Sequence, residues 1–102
     1  MAKKLIVSIL AKEDLDSIWN YYKEQNLEKV GINILREIGK KFSLLLKYPE
    51  IGRERHDLLL YLRSFAVRDY LIFYQPNSKG IEIIRILKAS RNISKIFDDM
   101  VV

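Results

Sequence analysis

The chain has 102 residues, which is the length of one domain, so a single domain over residues 1–102 is predicted. It has no cysteine and one histidine, which excludes disulfides and thiolate metal sites, and we expect neither a metal nor a cofactor. The net charge of +5 favours anionic partners. The apolar runs are too short to span a bilayer, so a cytoplasmic protein without a membrane partner is predicted.

The first half of the sequence predicts a strand followed by two helices. Lys4–Ile9 is rich in branched residues, which is typical of a short strand. Apolar residues then recur at spacings of three and four, which indicates one face of a first helix: Leu15, Ile18, Trp19 and Tyr22. Acidic residues are expected in its first turn, where they favour the helix dipole: Glu13, Asp14 and Asp16.

A second helix is predicted to follow with almost no linker, capped at its start by Asn26. Its apolar stripe comprises Val30, Ile34, Ile38, Phe42 and Leu45. The helix should end at Tyr48-Pro49, because the residue before proline is disfavoured in helical conformation. Two adjacent amphipathic helices predict a helical hairpin.

The second half predicts a small antiparallel sheet. Its candidate strands are Tyr61–Val67, Tyr70–Gln75 and Ile81–Lys88, and the turn sequence Pro76–Gly80 joins the last two into a hairpin. A short helix, Ile93–Met100, is expected after the candidate cap Asn92. The order β-α-α-β-β-β with a short C-terminal helix defines an α+β fold, in which the helical hairpin packs on one face of a mainly antiparallel sheet.

Arginine is concentrated in the second half, where six of the seven arginines lie. The planar guanidinium suits carboxylate recognition, so these residues are candidates for holding an acidic partner. The basic binding candidates are Arg53, Arg55, Arg63, Arg68, Arg85, Lys88 and Arg91. Arg63 and Arg85 lie within predicted strands and are expected to face a polar groove, whereas Arg53 is expected to bond carbonyl groups around the Gly52 turn.

Two apolar residues of the last helix, Ile96 and Phe97, are candidates for an exposed pocket that receives the same partner. The alternative is that both side chains close the core.

The order of several short motifs resembles the RelE/ParE superfamily of bacterial toxins over nearly the whole chain. The motifs are Asp14-Leu15-x-x-Ile18-Trp19-x-Tyr21, Tyr48-Pro49-Glu50-Ile51-Gly52-Arg53, Leu62-Arg63-Ser64-Phe65, Tyr70-Leu71-Ile72-Phe73-Tyr74, Arg85-Ile86-Leu87 and Ser90-Arg91. The loop after the second helix and the Leu-Arg-Ser-Phe strand look more like the ParE branch. Lys88 and Asn92 depart from it, because ParE-like chains often have histidine and aspartate at these positions.

The resemblance implies a toxin that acts by binding, with DNA gyrase as its target and a ParD-like antitoxin with an acidic tail as its neutralising partner. On this interpretation the chain is not an enzyme, no residue is catalytic, and direct contact with nucleic acid is not expected. A ribosome-dependent mRNA endoribonuclease of the RelE type is the alternative, with His56, Arg63 and Arg85 as catalytic candidates. A third possibility is a non-toxic binding module of the same fold.

Overall fold

The computed structural model describes residues 3–100. Within them the chain forms three helices and five strands, in the order β1 (Lys4–Val7), α1 (Ile9–Glu24), α2 (Glu28–Lys47), β2 (Arg53–Glu54), β3 (Arg63–Val67), β4 (Tyr70–Asn77), β5 (Gly80–Lys88) and α3 (Ile93–Met100). The strands form one sheet in the order β1-β5-β4-β3-β2. Only the β1–β5 pairing in this sheet is parallel. The predicted α+β architecture is confirmed, and the short strand β2 is an addition to it.

The helical hairpin covers one face of the sheet. Buried apolar residues of α1 and α2 pack against buried residues of β4 and β5, and these include Ile18, Ile34, Ile38, Ile72 and Ile83. Burying an aliphatic side chain of this size contributes about 1.5–3 kcal/mol, so this layer supplies much of the driving force for folding. Val30 was predicted to belong to the stripe, but it is 38% exposed.

The opposite face carries a second apolar cluster, formed by Leu62, Phe73, Leu87 and Phe97. Phe97 of α3 is 1% exposed, and its ring meets that of Phe73 edge-on with centroids 5.0 Å apart. The prediction of an exposed pocket residue is wrong for Phe97 in the free chain, because α3 uses it to cover the sheet. Ile96 packs half-buried against the same cluster.

Two helix starts differ from the predictions. α1 begins at Ile9, where the Oγ of Ser8 accepts a hydrogen bond of 3.1 Å from the Ala11 N–H, so the acidic residues fall beyond its first turn. Asn26 does not cap α2, which begins after Leu27 without a side-chain cap. Instead Asn26 adopts a φ of 57° in the tight connection between the helices, a conformation that asparagine tolerates well. The cap predicted for α3 is confirmed, since Asn92 Oδ1 accepts from the Lys95 N–H at 3.3 Å.

A register shift interrupts the pairing of β4 with β5. Phe73 pairs with Arg85 and Tyr74 with Ile83, so Ile84 is an extra residue without a partner. The bulge shifts by one residue the alternation of β5 side chains between the two faces of the sheet. As a result Ile83 and Ile86 both belong to the cluster under the hairpin, while Ile84 packs in the second cluster.

None of the helices within residues 3–100 has the length and hydropathy that a membrane crossing would need.

Candidate functional site

The outer edge of β5 changes partner halfway along its length. β1 pairs with Gly80–Ile83 only, and beyond that point the start of α1 takes over. The Ser8 N–H donates to the Ile83 carbonyl at 2.9 Å, and the Ser8 hydroxyl donates to the Ile84 carbonyl at 2.8 Å. The Ile86 N–H donates to Asp14 Oδ2 at 2.9 Å. Two side chains of this helical segment therefore satisfy backbone groups that a strand would otherwise pair.

Asp14 also holds Arg85 in a bidentate ion pair. Arg85 Nε lies 2.8 Å from Asp14 Oδ2, and Arg85 Nη2 lies 2.9 Å from Asp14 Oδ1. The two side chains are only 13% and 10% exposed, and the hydrogen bond to Asp14 raises the pKa of Arg85 above its ordinary value. The expectation that Arg85 faces an open groove is therefore corrected: its guanidinium fastens α1 to β5.

Beside this pair lies a groove of about 310 Å³, which we call the β5 groove. One wall is α1, with Asp14, Ser17, Ile18 and Tyr21, and the other is formed by Tyr70, Ile86, Leu87, Lys88 and Arg91. Tyr21 is 51% exposed, which leaves an aromatic face open to a partner. Burial raises the pKa of Tyr70, so its hydroxyl is neutral.

Lys88 and Arg91 are the cations of the β5 groove. Both are exposed, and neither has an ion-pair partner among residues 3–100. An apolar wall beside two such cations can accept a chain that is both acidic and hydrophobic. Of the predicted basic residues, the structure brings these two together with Arg85 at one end of β5.

Arg63 has a structural role at the opposite side of the sheet. Its Nη1 donates to the carbonyl oxygens of Glu50 and Gly52, at 3.0 and 2.7 Å. Its Nη2 lies 3.4 Å from Glu54 Oε1, and the side chain lines a polar cavity with these two glutamates while its guanidinium is bound to its own loop. The carbonyl-bonding role that the sequence suggested for Arg53 belongs to Arg63.

Tyr74 fastens the same loop from β4. Its hydroxyl accepts from the Gly52 N–H at 2.9 Å and donates to the Pro49 carbonyl at 2.8 Å. Burial raises the pKa of Tyr74, so the hydroxyl stays protonated and can donate. A Cβ at Gly52 would lie 2.4 Å from that hydroxyl, which explains why this position needs glycine.

The remaining arginines differ in their surroundings. Arg55 pairs with Asp57 at 3.2 Å and lies 5.7 Å from the centroid of the Phe73 ring. Arg68 forms a bidentate pair with Glu37 of α2, at 2.8 and 2.9 Å. Arg53 is exposed and has no ion-pair partner in the described part of the chain. The predicted binding residues therefore do not form one continuous surface.

His56 lies in a separate cavity of about 240 Å³, together with Glu50, Glu54, Tyr61, Arg63 and Pro76. The structure thus brings together two of the three catalytic candidates, His56 and Arg63, while Arg85 lies on β5 and is bound to Asp14. The two carboxylates in this cavity disfavour a phosphate beside His56.

Asp14 and Tyr21 belong to the candidate site but are not among the binding residues that the sequence predicts. Asp14 carried a signal, because Ala11, Asp14 and Ile18 share one helical face and all three are buried. A carboxylate on such a face requires a buried cation or several N–H donors. Tyr21 carried no signal beyond its place in the helix motif.

The fold combines a helical hairpin with a mainly antiparallel sheet and a cationic groove at the end of its last strand, as the RelE/ParE superfamily resemblance predicts. Residues 5–93 match the sequence model of a protein family described as the ParE toxin of the type II toxin-antitoxin system parDE. The chain belongs to this family. It is therefore a ParE-type toxin of a type II toxin–antitoxin system. The matched range ends at the first residue of α3.

Two relatives from Caulobacter vibrioides support the assignment. The chain is 35% identical to Toxin ParE3 over 81 residues, which cover 79% of this chain and 81% of that toxin. It is 29% identical to Toxin ParE1 over 82 residues, covering 80% and 84%. Among solved structures, the chromosomal ParDE TA system from P. aeruginosa shares the fold, with a TM-score of 0.72 at 19% identity over 84% of this chain and 95% of that one.

Proposed function

We propose that this toxin acts in the cytoplasm by binding DNA gyrase, and that a cognate antitoxin with an acidic tail neutralises it. Membership of the ParE toxin family supports a target other than the ribosome. The structural observation that carries the antitoxin part of the proposal is the β5 groove, with the exposed cations Lys88 and Arg91 beside an apolar wall.

The energetics favour a partner that is amphipathic as well as acidic. An exposed ion pair contributes about 0.2–1 kcal/mol, so two rim cations alone give weak binding. The half-exposed ring of Tyr21 supplies a further gain when a partner covers it, whereas Ile18 and Leu87 are already buried by the fold. A disordered acidic tail that orders on the groove loses part of this free energy to its own ordering.

Two assays test the proposal. Purified toxin should inhibit DNA supercoiling by gyrase, and stoichiometric antitoxin, encoded in the neighbouring reading frame, should restore it. Unchanged supercoiling at saturating toxin overturns the gyrase part. Failure of the two proteins to associate overturns the antitoxin part.

An mRNA endoribonuclease is the second candidate, because His56, Tyr61 and Arg63 share one cavity. Glu50 and Glu54 in the same cavity, and the bonds of Arg63 to its own loop, count against it. The test is mRNA integrity in a translation extract. Cleavage by the wild type that is lost in His56→Ala, with an unchanged melting temperature, would establish the endonuclease. Inactivity in both assays would favour the non-toxic module.

A further inference from the structure

The solvent-exposed face of α2 carries one row of polar side chains along the helix. Its members recur at alternating spacings of four and three residues, so they lie on one line. We call this line the α2 row, and its members, all exposed, are Lys29, Asn33, Arg36, Lys40, Ser43 and Lys47. The row lies opposite the buried residues Ile34, Ile38 and Leu45, so it points away from the core. A rise of 1.5 Å per residue gives it a length of about 27 Å.

The α2 row contains four cations and no anion. The chain has 18 basic and 13 acidic side chains, so this one helix face holds cations that nearly equal the whole excess of five. The acids of α2, Glu28 and Glu37, lie about 80–100° around the helix from the row. Glu37 is also bound by Arg68. None of the four cations has an ion-pair partner within residues 3–100.

The exposed charges of α1 provide a comparison, because they include both signs. Interspersed signs are typical of a face that only keeps a helix soluble. In the α2 row, by contrast, Arg36 and Lys40 are like charges four residues apart, an arrangement that destabilises a helix. The uniform sign of the row therefore adds nothing to the stability of the fold, which favours a role in binding. The exposed charged residues of α1 are Lys12, Glu13, Asp16, Lys23 and Glu24.

The length and charge of the α2 row favour the phosphate backbone of DNA as its partner. One strand of a duplex carries a phosphate about every 3.4 Å along the axis, so the row extends beside roughly eight phosphates. Lysine and arginine bind phosphate oxygens, and Asn33 and Ser43 are neutral donors for the same oxygens. The row offers no apolar side chain, so an amphipathic acidic segment gains more in the β5 groove beside Tyr21. A second copy of the toxin would bring cations against cations.

We propose that the α2 row binds the backbone of the DNA duplex that the toxin's target holds. This inference rests on the proposed binding of DNA gyrase. The toxin then touches both the enzyme and its DNA, and the phosphate contacts add affinity that does not depend on base sequence. The proposal departs from the expectation, drawn from the sequence, that the toxin makes no direct contact with nucleic acid. The walls of the β5 groove come from α1, β4, β5 and the segment after β5, so the antitoxin and the DNA use separate surfaces.

Two double variants separate the α2 row from net charge. The row variant, Lys29→Gln/Lys40→Gln, removes two cations of the row, and the α1 variant, Lys12→Gln/Lys23→Gln, removes two exposed cations of the other helix. The two pairs match in residue type, in the charge removed and in their spacing of eleven residues. All four positions are exposed and glutamine suits a helix, so both variants should keep the melting temperature of the wild type.

The first measurement is the affinity of the purified toxin for a fluorescently labelled duplex of arbitrary sequence, by anisotropy, from about 50 to 200 mM salt. At the lowest salt the row variant should bind roughly fivefold or more weakly than the wild type, and the α1 variant within about twofold of it. The slope of log affinity against log salt should become shallower by about 1.8 in the row variant, which corresponds to two phosphate contacts. Equal losses in the two variants overturn the inference, because duplex binding would then follow net charge. Absence of duplex binding by the wild type overturns it as well.

The second measurement is inhibition of gyrase supercoiling. The row variant should need roughly fivefold more toxin than the α1 variant for half-inhibition, whereas the two should bind the antitoxin with affinities within about twofold of each other. Equal inhibition by the two variants overturns the inference and leaves the proposed function intact. No inhibition by the wild type contradicts the proposed function as well. A row variant that binds the duplex as the α1 variant does, but has lost antitoxin affinity, would assign the row to the acidic antitoxin and overturn the DNA contact.

Discussion

Arg85 and Arg91 lie six residues apart at the same end of β5, but their surroundings are opposite. Arg85 is 13% exposed and bound through two nitrogens to Asp14, whereas Arg91 is exposed and has no ion-pair partner in the described chain. The first holds the toxin together and the second is available to a partner. The arginines of the second half of this chain therefore fall into at least two groups, which differ in burial.

The largest expected effect breaks the buried pair. Asp14→Ala removes both carboxylate contacts of Arg85 and the acceptor of the Ile86 N–H. Because a mostly buried cation is left without its partner, we expect a loss of about 3–5 kcal/mol in the free energy of unfolding, measured by urea denaturation. Arg91→Ala is the control and should change stability by less than about 0.5 kcal/mol. Similar losses of unfolding free energy in Asp14→Ala and Arg91→Ala would contradict the different roles assigned to Arg85 and Arg91.

The second largest effect is expected at the other side of the sheet, where Tyr74 anchors the loop after α2. Tyr74→Phe deletes the hydroxyl that accepts from the Gly52 N–H and donates to the Pro49 carbonyl. Both backbone groups then lose this hydrogen-bond partner. We expect a loss of about 1–3 kcal/mol in the same measurement. Tyr61→Phe is the matched control, because Tyr61 is 67% exposed and its hydroxyl makes no such bonds to residues 3–100. A loss as large in Tyr61→Phe would argue against the loop anchor.

The third effect concerns binding and leaves the fold intact. Lys88→Glu/Arg91→Glu reverses both cations of the β5 groove and should weaken antitoxin binding at least tenfold, which is about 1.4 kcal/mol, by calorimetry. Stability should be unchanged, since both side chains are exposed. Lys79→Glu, at the opposite end of β5, makes half of that charge change and should have little effect on affinity. If the double variant and Lys79→Glu weaken antitoxin binding in proportion to the charge that each one changes, affinity depends on net charge and the β5 groove has no special role.

The smallest effect is expected from the exposed pair Arg68–Glu37. The hydrogen bond from Arg68 lowers the pKa of Glu37 below its ordinary value of 4.5. Ionised Glu37 therefore stabilises the folded state above pH 4.5, and this contribution is lost as the pH falls through the lowered pKa. The melting temperature of Arg68→Ala should lie slightly below that of the wild type at neutral pH and converge with it in acid. A difference that persists in acid would point to packing of the side chain.

Most of the fold was predictable because the patterns are local. The stripe from Ile34 to Leu45 and the turn Pro76–Gly80 predict a helix and a hairpin whatever surrounds them. The strand boundaries were less accurate. Tyr61, with a φ of 64°, lies outside β3, and β1 ends two residues earlier than predicted because Ser8 caps α1.

The site was harder to predict because its contacts are distant in the sequence. Asp14 and Arg85 are 71 residues apart, and their meeting depends on the bulge at Ile84, which has no mark in the sequence. The roles of Arg53 and Arg63 depend on the pairing of β2 with β3, where a shift of one residue would exchange the faces. Lys88 and Arg91 could be named in advance, but their lack of intramolecular partners could not.

The parallel pairing of β1 with β5 has a consequence for synthesis of the toxin. Ser8 and Ile84 are 76 residues apart, so the edge of the sheet closes only after β5 has left the ribosome. Before that moment neither wall of the β5 groove has its counterpart, since α1 provides one and β5 the other. We therefore expect an interrupted translation product to be inert and prone to degradation. On the proposed function, harm to the cell would begin only with the completed chain, which is also the form that an antitoxin would bind.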